Sequence, residues 1–462
     1  MVTRTFAYRR GPTTTAAVLQ DSQKMATSTP LSKANTTFSL ALLKKLSDDD
    51  KTANLFYSPF SISSALAMVM LGARGNTAAQ MSEVLCLTET EQPKQVGAEQ
   101  SQSQSQSQSP MQSQMQTRMQ MRMQIQQTSR LPKYLLQCLK PNNGQDDVHA
   151  SFSRLLRELN KADASYALSL ANRLYGEQSY QFVDDFLAET RKHYNAELES
   201  VDFKNSAEAA RVDINSWVEK QTEGKIKDVL VQGVVDDKTK LVLVNAVYFK
   251  GNWNKQFKEG YTVDAQFRIN KNDTKPVKIM CQKSEFSFTS IPEVNCQILE
   301  MPYKGKDLSM LIFLPNEIED DTTGLEKLER ELTYEKFVAW TRPDMMGQTE
   351  VEVKLPRFKM EEKYNLKDVL TSMGMVDAFD VTRSDFSVMS PSNDLILSKV
   401  VHKAFVEVNE EGTEAAAATA AIMTERSIMI PDTFIADHPF LFFIRHNTTM
   451  SILFAGRYCS PE

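Results

Sequence analysis

The segment NEEGTEAAAATAAIMTERSIMIP, residues 409–431, has a glycine at position 412, a run of small residues behind it and a single arginine at position 426. Alanine and glutamate cost little in a helix, so local propensity alone predicts a short helix over 414–421. The flanking segments VHKAFVEV (401–408) and FIADHPFLFFIRH (434–446) instead have the composition of β-strands. The segment therefore joins two predicted strands near the carboxyl end, and it is compatible with helix, loop or strand.

Composition limits the class of protein. The chain has 462 residues, of which 41% are hydrophobic and 24% are charged, which indicates a soluble globular protein with a large core. Because the net charge is -6, we expect neither nucleic acid nor an anionic membrane as a partner. The five cysteines include no C-x-x-C pair, and this pattern is typical of a reducing compartment.

The amino-terminal sequence bears on localisation. It has no apolar stretch of signal-peptide length, and no apolar run long enough to span a membrane occurs in the chain. We therefore expect a cytoplasmic protein without a cleaved signal peptide, with unconventional release to the extracellular space as the alternative.

Two segments are expected to lie outside the folded body. Residues 1–24 are basic and rich in threonine, and we interpret them as a disordered extension before a second methionine, with a mitochondrial transit segment as the less favoured alternative. Residues 89–145 are built around a glutamine, serine and methionine repeat that cannot bury enough surface to order itself. We interpret them as a tolerated loop insertion, since long insertions cost little closure entropy. The alternatives are a partner-docking, polyanion-binding or cross-linking segment. The prediction is one domain, residues 25–462, interrupted once.

Hydrophobic periodicity predicts helices mainly in the first half and strands mainly in the second. The predicted helices are 37–46, 61–71, 76–87 with a cap at Asn76, 148–159, 207–221 and 364–373. In the helix over 207–221, Val212, Trp217 and Val218 are the candidate packing residues. The predicted strands are 167–174, 199–203, 240–249, 297–301, 307–314 and 350–358. This arrangement favours an α+β fold with large mixed sheets.

Motifs of the common catalytic sites are absent from the sequence. There is no G-x-S-x-G elbow, no H-E-x-x-H and no phosphate-binding G-x-x-x-x-G-K, and only five histidines are present. Three of the histidines lie in or beside predicted strands, where a hydrogen-bonded structural role is the better interpretation. We therefore expect neither an enzyme nor a cofactor or metal.

Six segments together resemble the serpin family, and among serpins the intracellular ovalbumin-type group, clade B. They occur in the family's order and cover nearly the whole chain from about residue 32, outside the insertion. The segments are 54–81, 243–253, 299–317, 351–370, 401–420 and 434–462. The resemblance implies three β-sheets, about nine helices and an exposed reactive-centre loop that serves as bait for a protease.

The resemblance also assigns roles to individual positions. It places the scissile bond between Arg426 and Ser427. It implies a loop hinge of Gly412, Thr413, Glu414, Ala415, Ala416, Ala417, Ala418 and Thr419. It further implies a polar shutter cluster where the central sheet parts, formed by Ser58, Ser61, Asn245 and His402. A breach group is implied where the loop first inserts, formed by Trp253, Arg357 and Glu410.

The residues of the loop support insertion independently. If Glu414 points outward, the alternate positions that slide under the sheet are Thr413, Ala415, Ala417, Thr419 and Ala421, and all of them are small. Fourteen residue steps from Gly412 to Arg426 span about 46 Å as a strand. The folded body should be a little over about 50 Å across. Insertion would carry an attached protease across most of the molecule.

These observations predict a serine protease inhibitor that forms a covalent acyl-enzyme and traps it by loop insertion. Arg426 favours a trypsin-like target, while Met423 and Met429 are alternative cleavage points for elastase- or chymotrypsin-like proteases. Glu425, beside the bond, should further restrict which trypsin-like proteases can be targets. We expect a monomer whose partner is the target protease. The alternatives are a non-inhibitory serpin with a binding or storage role, or a protein that acts through the insertion.

Overall fold

The structure is a computed structural model, and it describes residues 28–87, 147–161, 163–392, 394–413 and 431–461. The extension over 1–24, the insertion over 89–145 and the loop from 414 to 430, with its expected helix, lie outside these ranges. Only the backbone of Thr413 is described.

Nine α-helices occur in the described ranges, and proline follows the cap in two of them. Thr29 and Ser58 each accept a backbone N–H through the side chain, and Pro30 and Pro59 occupy the first helical positions, where no N–H is needed. The helices are α1 (Pro30–Asp49), α2 (Pro59–Met70), α3 (Gly75–Val84), α4 (Val148–Leu159), α5 (Asp184–Tyr194), α6 (Phe203–Gln221), α7 (Glu326–Glu331), α8 (Tyr334–Thr341) and α9 (Lys367–Ser372). None of these helices is long and apolar enough to cross a membrane.

Three details of the predicted helices are wrong. The first residue of α3 is Gly75, and no side chain caps this helix, so Asn76 is not its cap. On α6, Val218 is buried and Trp217 is partly buried, as predicted, but Val212 is 47% exposed. The buried stripe of this helix runs through Ala210, Ile214 and Val218, and Val212 lies off it. The helix predicted over 364–373 begins only at Lys367, because the residues up to Asn365 belong to a strand of the central sheet.

The central sheet has six strands. Its order is β10 (Phe358–Asn365), β11 (Leu397–Val408), β4 (Leu241–Asn252), β2 (Tyr166–Glu177) and β3 (Leu198–Val201), and the short β12 (Gly412–Thr413) pairs with the end of β4. Strands β11 and β4 are parallel neighbours from Leu397 opposite Leu241 to Phe405 opposite Tyr248. The sheet is therefore closed along this line, except where β12 begins.

The other strands form a nine-stranded sheet, in which the long β6 is shared by two portions. In one portion β5 and β9 pair with β6, and β13 pairs with β9. The other portion continues from β6 through β7, β8, β14 and β15 to β1. The bounds are β1 (Leu55–Tyr57), β5 (Val263–Arg268), β6 (Thr274–Ile291), β7 (Cys296–Pro302), β8 (Leu308–Pro315), β9 (Gly347–Pro356), β13 (Asp432–Ile435), β14 (Phe440–His446) and β15 (Ser451–Tyr458). The expected α+β class with several large sheets is confirmed.

Strand β4 is buried on both faces. Leu243, Val247 and Phe249 belong to the main core, which extends from Leu31 to Cys459. The alternate residues, among them Val244 and Tyr248, belong to a second core beneath α6. A strand that is buried on both faces requires a run of apolar residues without alternation, and β4 could therefore be predicted from the sequence.

Candidate functional site

The described part of the loop begins as a strand on β4. Gly412 lies opposite Asn252 and Thr413 opposite Gly251, in antiparallel register. A tight turn at Asn409 redirects the chain from β11: the Asn409 N–H donates to the Gly412 carbonyl at 2.8 Å, and the Gly412 N–H donates to the Asn409 side-chain oxygen at 3.1 Å. The chain thus reverses at the carboxyl end of β11, and β12 starts to separate β11 from β4.

Glycine is required at position 412. Its φ is +135°, a value that L side chains rarely adopt, and a Cβ there would lie 2.3 Å from the Gly251 carbonyl oxygen and 2.6 Å from the Trp253 nitrogen. All of these neighbours are backbone atoms, so no side-chain movement can relieve the overlap. Position 412 therefore fixes both the turn and its close approach to β4.

Trp253 holds the turn from the side of β4. Its backbone N–H donates to the Glu411 carbonyl at 2.8 Å, and its indole N–H donates to the Asn409 carbonyl at 3.0 Å. The indole also stacks on Tyr303, with ring centres 4.7 Å apart and planes 13° from parallel. Together these contacts fix the position at which the loop leaves the sheet.

The Glu410 side chain is buried beside the same turn. The Arg357 guanidinium lies 3.7 Å from its carboxylate, so two of the three implied breach residues form an ion pair, with a half-exposed arginine. The Thr262 hydroxyl donates to the same carboxylate at 2.6 Å. Sequence reasoning missed Thr262, because nothing in its neighbourhood signals a contact with a residue 148 positions away.

The shutter cluster lies near the middle of the strands of the central sheet, in a single row across four strands. Register pairs place Tyr364 of β10, His402 of β11, Asn245 of β4 and Asn172 of β2 side by side. Asn172 and Tyr364 were not identified from the sequence. Asn172 lies within a predicted strand, but only the strand pairing brings it beside Asn245.

Hydrogen bonds join this row to the start of α2. The backbone N–H of Ser58 donates to His402 Nε2 at 3.1 Å, and the Ser58 hydroxyl donates to the Leu453 carbonyl at 2.6 Å. His402 Nδ1 pairs with the Asn245 side-chain oxygen, and the Asn245 amide donates to the Ser61 hydroxyl at 2.7 Å. The four predicted residues thus form one buried network.

The network requires a neutral His402. The imidazole accepts at Nε2 from an N–H group, so its proton must be on Nδ1, facing the Asn245 oxygen. Burial lowers the pKa of His402 to about 3, because the charged ring would lose its hydration. The bond between His402 and Asn245 therefore ties β11 to β4 in the middle of the sheet.

Among the described residues, no three His, Cys, Asp or Glu side chains come together in a way that could hold a metal ion. The structure brings together the four shutter residues, and it gathers the three breach residues around the turn at Gly412. The scissile bond Arg426–Ser427 and the hinge residues from Glu414 to Thr419 lie outside the described ranges.

Comparisons with known proteins agree with this architecture. A family profile described as Serpin (serine protease inhibitor) matches residues 33–141 and 114–461. The leukocyte elastase inhibitor of Equus caballus is 48% identical over 431 residues, covering 93% of this chain and 99% of the relative. Serpin B6 of Macaca fascicularis is also 48% identical, with the same coverage. The crystal structure of uncleaved ovalbumin superimposes with a TM-score of 0.74 at 34% identity, covering 93% of this chain and 100% of ovalbumin. The chain belongs to the serpin family, in the ovalbumin-type group, and is a protease inhibitor rather than an enzyme.

Proposed function

We propose that this serpin inhibits trypsin-like serine proteases by forming an acyl-enzyme at Arg426, which it then traps by inserting the cleaved loop between β11 and β4. The observation that carries the proposal is the register of β12. Gly412 and Thr413 already pair with β4 in the antiparallel sense that an inserted strand would need.

Continuing this register gives the inserted strand a defined length. Each step up the loop pairs with one step down β4, so Ala421 would lie opposite Leu243 and Met423 opposite Leu241. Residue 241 is the first residue of β4. The inserted strand would therefore run from 412 to 423 and cover the whole of β4, and Arg426 would lie just beyond the end of the sheet.

The same register assigns the faces of the inserted strand. Paired residues share a face of the sheet, so Ala415, Ala417 and Ala421 would face the main core beside Phe249, Val247 and Leu243. These residues belong to the small-residue set predicted from the sequence. On the other face, Glu414 would lie opposite Lys250, an opposite-charge cross-strand pair. Size and charge thus both suit this register.

Insertion in this register would pass through the shutter cluster. Thr419 would lie opposite Asn245, and hence between Asn245 and His402, whose hydrogen bond would have to break. The threonine hydroxyl offers a donor and an acceptor in place of the bond that is lost. The cluster would therefore hold the sheet closed before cleavage and accept the loop afterwards.

The energetics favour a trapped active form. One additional strand ladder of about ten hydrogen bonds, each contributing roughly 0.5–1.5 kcal/mol, places the inserted form on the order of 10 kcal/mol lower. Since β11 and β4 are paired along their length, they must first separate. The closed form is then kinetically stable rather than the lowest in free energy.

The chemistry at the bond is supplied by the protease. Its serine attacks the Arg426 carbonyl carbon, the bond to the Ser427 nitrogen breaks, and the amine leaves with a proton from the protease's histidine. The remaining ester is hydrolysed only if water attacks before insertion distorts the protease. Arginine at this position suits a specificity pocket that contains a carboxylate.

Incubation with bovine trypsin tests the proposal. A complex that survives boiling in detergent is expected at a stoichiometry near one, and Arg426→Ala should abolish it. Cleavage at Arg426 without a complex would mean that the loop is only a substrate. The same gel with elastase and chymotrypsin examines Met423 and Met429 as alternative cleavage points.

We further propose that the chain acts as a cytoplasmic monomer with one domain over 25–462. The four cysteines in the described ranges are all free thiols, and this supports a reducing compartment. The main core joins residues from Leu31 to Cys459, which supports a single folding unit.

A further inference from the structure

Two histidines lie close together where α4 meets α5, away from the loop and the shutter cluster. His149 is the second residue of α4, His193 is the tenth of α5, and their ring centres are 6.1 Å apart. This pair is not recognisable from the sequence, because the two residues are 44 positions apart and match no metal-binding motif.

The His193 imidazole has one nitrogen held and one left without a partner. Nε2 donates to the Glu189 carboxylate, 2.9 Å away on the preceding turn of α5. Nδ1 is buried and has no hydrogen-bond partner, in a side chain that is only 9% exposed. In the neutral ring the Glu189 contact leaves Nδ1 as a bare lone pair. A buried polar atom without a partner is uncommon and points to a missing water or ion.

His149 is held in a similar way. Its Nδ1 lies 2.5 Å from the Tyr194 hydroxyl, and its backbone N–H donates to the Asp147 carboxylate at 3.0 Å. When Nδ1 carries the proton and donates to Tyr194, Nε2 becomes a second free lone pair. Histidines that bind metals almost always donate the other ring nitrogen to a carboxylate or a similar acceptor. Both rings can adopt this arrangement, with Glu189 as the acceptor for His193 and the Tyr194 hydroxyl as the acceptor for His149.

We propose that His149 and His193 form a binding site for a divalent transition-metal ion that prefers imidazole, such as Zn²⁺ or Ni²⁺. With metal–nitrogen bonds of about 2.0–2.1 Å, two ring centres on one ion lie about 5–6 Å apart, which is close to the observed 6.1 Å. No third His, Cys, Asp or Glu of the described residues joins them, so water completes the coordination. Imidazole ligands without clustered carboxylates do not suit Mg²⁺, which takes oxygen ligands. A bound ion would join the first turn of α4 to the last turn of α5.

Calorimetric titration of the full chain with ZnCl₂, NiCl₂ and MgCl₂ tests the site. One saturable Zn²⁺ or Ni²⁺ per chain is expected, with no heat from Mg²⁺. The variants His149→Gln and His193→Gln should each weaken the binding at least tenfold. Glu189→Ala, at a side chain that is 46% exposed, leaves both imidazoles in place and should weaken binding about tenfold through loss of orientation.

Two controls make the result decisive. Cys86→Ser removes a half-buried thiol that could bind the same metals, and it should leave the affinity unchanged. The Glu189→Ala variant keeps the test open if a histidine variant does not fold, because its side chain is not part of the core. Absence of saturable Zn²⁺ and Ni²⁺ binding, or affinity unaffected by His193→Gln and Glu189→Ala, would overturn the proposal.

Discussion

Replacing Gly412 by alanine should convert this inhibitor into a substrate. The added methyl group would lie 2.3 Å from the Gly251 carbonyl oxygen, and the backbone would have to hold φ at +135° with a side chain. Such a conformation costs on the order of 1–3 kcal/mol for a residue other than glycine. Loss of the Gly412 hydrogen bonds to Asn409 adds about 1 kcal/mol. If insertion starts from the β12 pairing, the roughly 3 kcal/mol needed to keep this pairing with a side chain at 412 adds to the barrier and slows that step by a factor of about 150.

Insertion and hydrolysis compete for the same acyl-enzyme, so the stoichiometry of inhibition reports this change. Titration of active trypsin should require many molecules of Gly412→Ala per molecule of protease inhibited, whereas the parent chain requires about one. Gly260→Ala is the matched control, because a Cβ there meets nothing within 4 Å and its φ is not in the left-handed range. An unchanged stoichiometry for Gly412→Ala would refute the idea that β12 starts the insertion.

Three further predictions concern stability. Because the pKa of His402 is about 3 when folded and near 6.5 when unfolded, the unfolded chain binds more protons between these values, so the contribution of His402 is complete above pH 6.5 and lost as the pH falls. At pH 5 the parent should have lost about 2 kcal/mol of its free energy of unfolding through His402. Guanidinium unfolding at pH 5 and above pH 6.5 measures this loss in the parent, and it should be absent in His402→Gln. Arg457→Met leaves the Glu329 carboxylate, which is 12% exposed, without its cation at 3.2 Å, and should lower the free energy of unfolding by about 3–5 kcal/mol in urea titrations. By contrast, Arg357→Ala should change that free energy by less than about 1 kcal/mol, because the guanidinium is 46% exposed and 3.7 Å from Glu410.

The central sheet was readable from the sequence where its strands are buried on both faces. The continuous apolar run of β4 predicts such a strand, and residues 241–252 confirm it. The segment predicted as one strand over 350–358 is instead the end of β9 and the start of β10, separated at Arg357. The Arg357 N–H donates to the Lys278 carbonyl at 2.8 Å, and this contact with β6 is not encoded by any local pattern.

The candidate site was also predictable only in part, because some of its contacts depend on which strands are neighbours in the sheet. The family resemblance indicated Asn245 and His402, but their partners Asn172 and Tyr364 depend on which strands are neighbours. Strand pairing brings Asn172 beside Asn245, 73 positions away, and Tyr364 beside His402, 38 positions away, and periodicity within a segment carries no information about it. The close approach at Gly412 likewise depends on the backbone of β4, which the loop sequence does not specify.

The register of the inserted loop can be measured directly with engineered disulfides. If β12 continues along β4 as proposed, residue 418 comes opposite residue 246 after cleavage, with Cβ atoms about 4.5–5.5 Å apart. The double variant Ala418→Cys/Ala246→Cys should therefore form a disulfide in the chain cleaved at Arg426 and none in the intact chain. The offset pair Ala417→Cys/Ala246→Cys, whose side chains would point to opposite faces, should form none in either. A cleaved chain that forms no 418–246 disulfide, or that forms the offset one instead, would contradict loop insertion in this register.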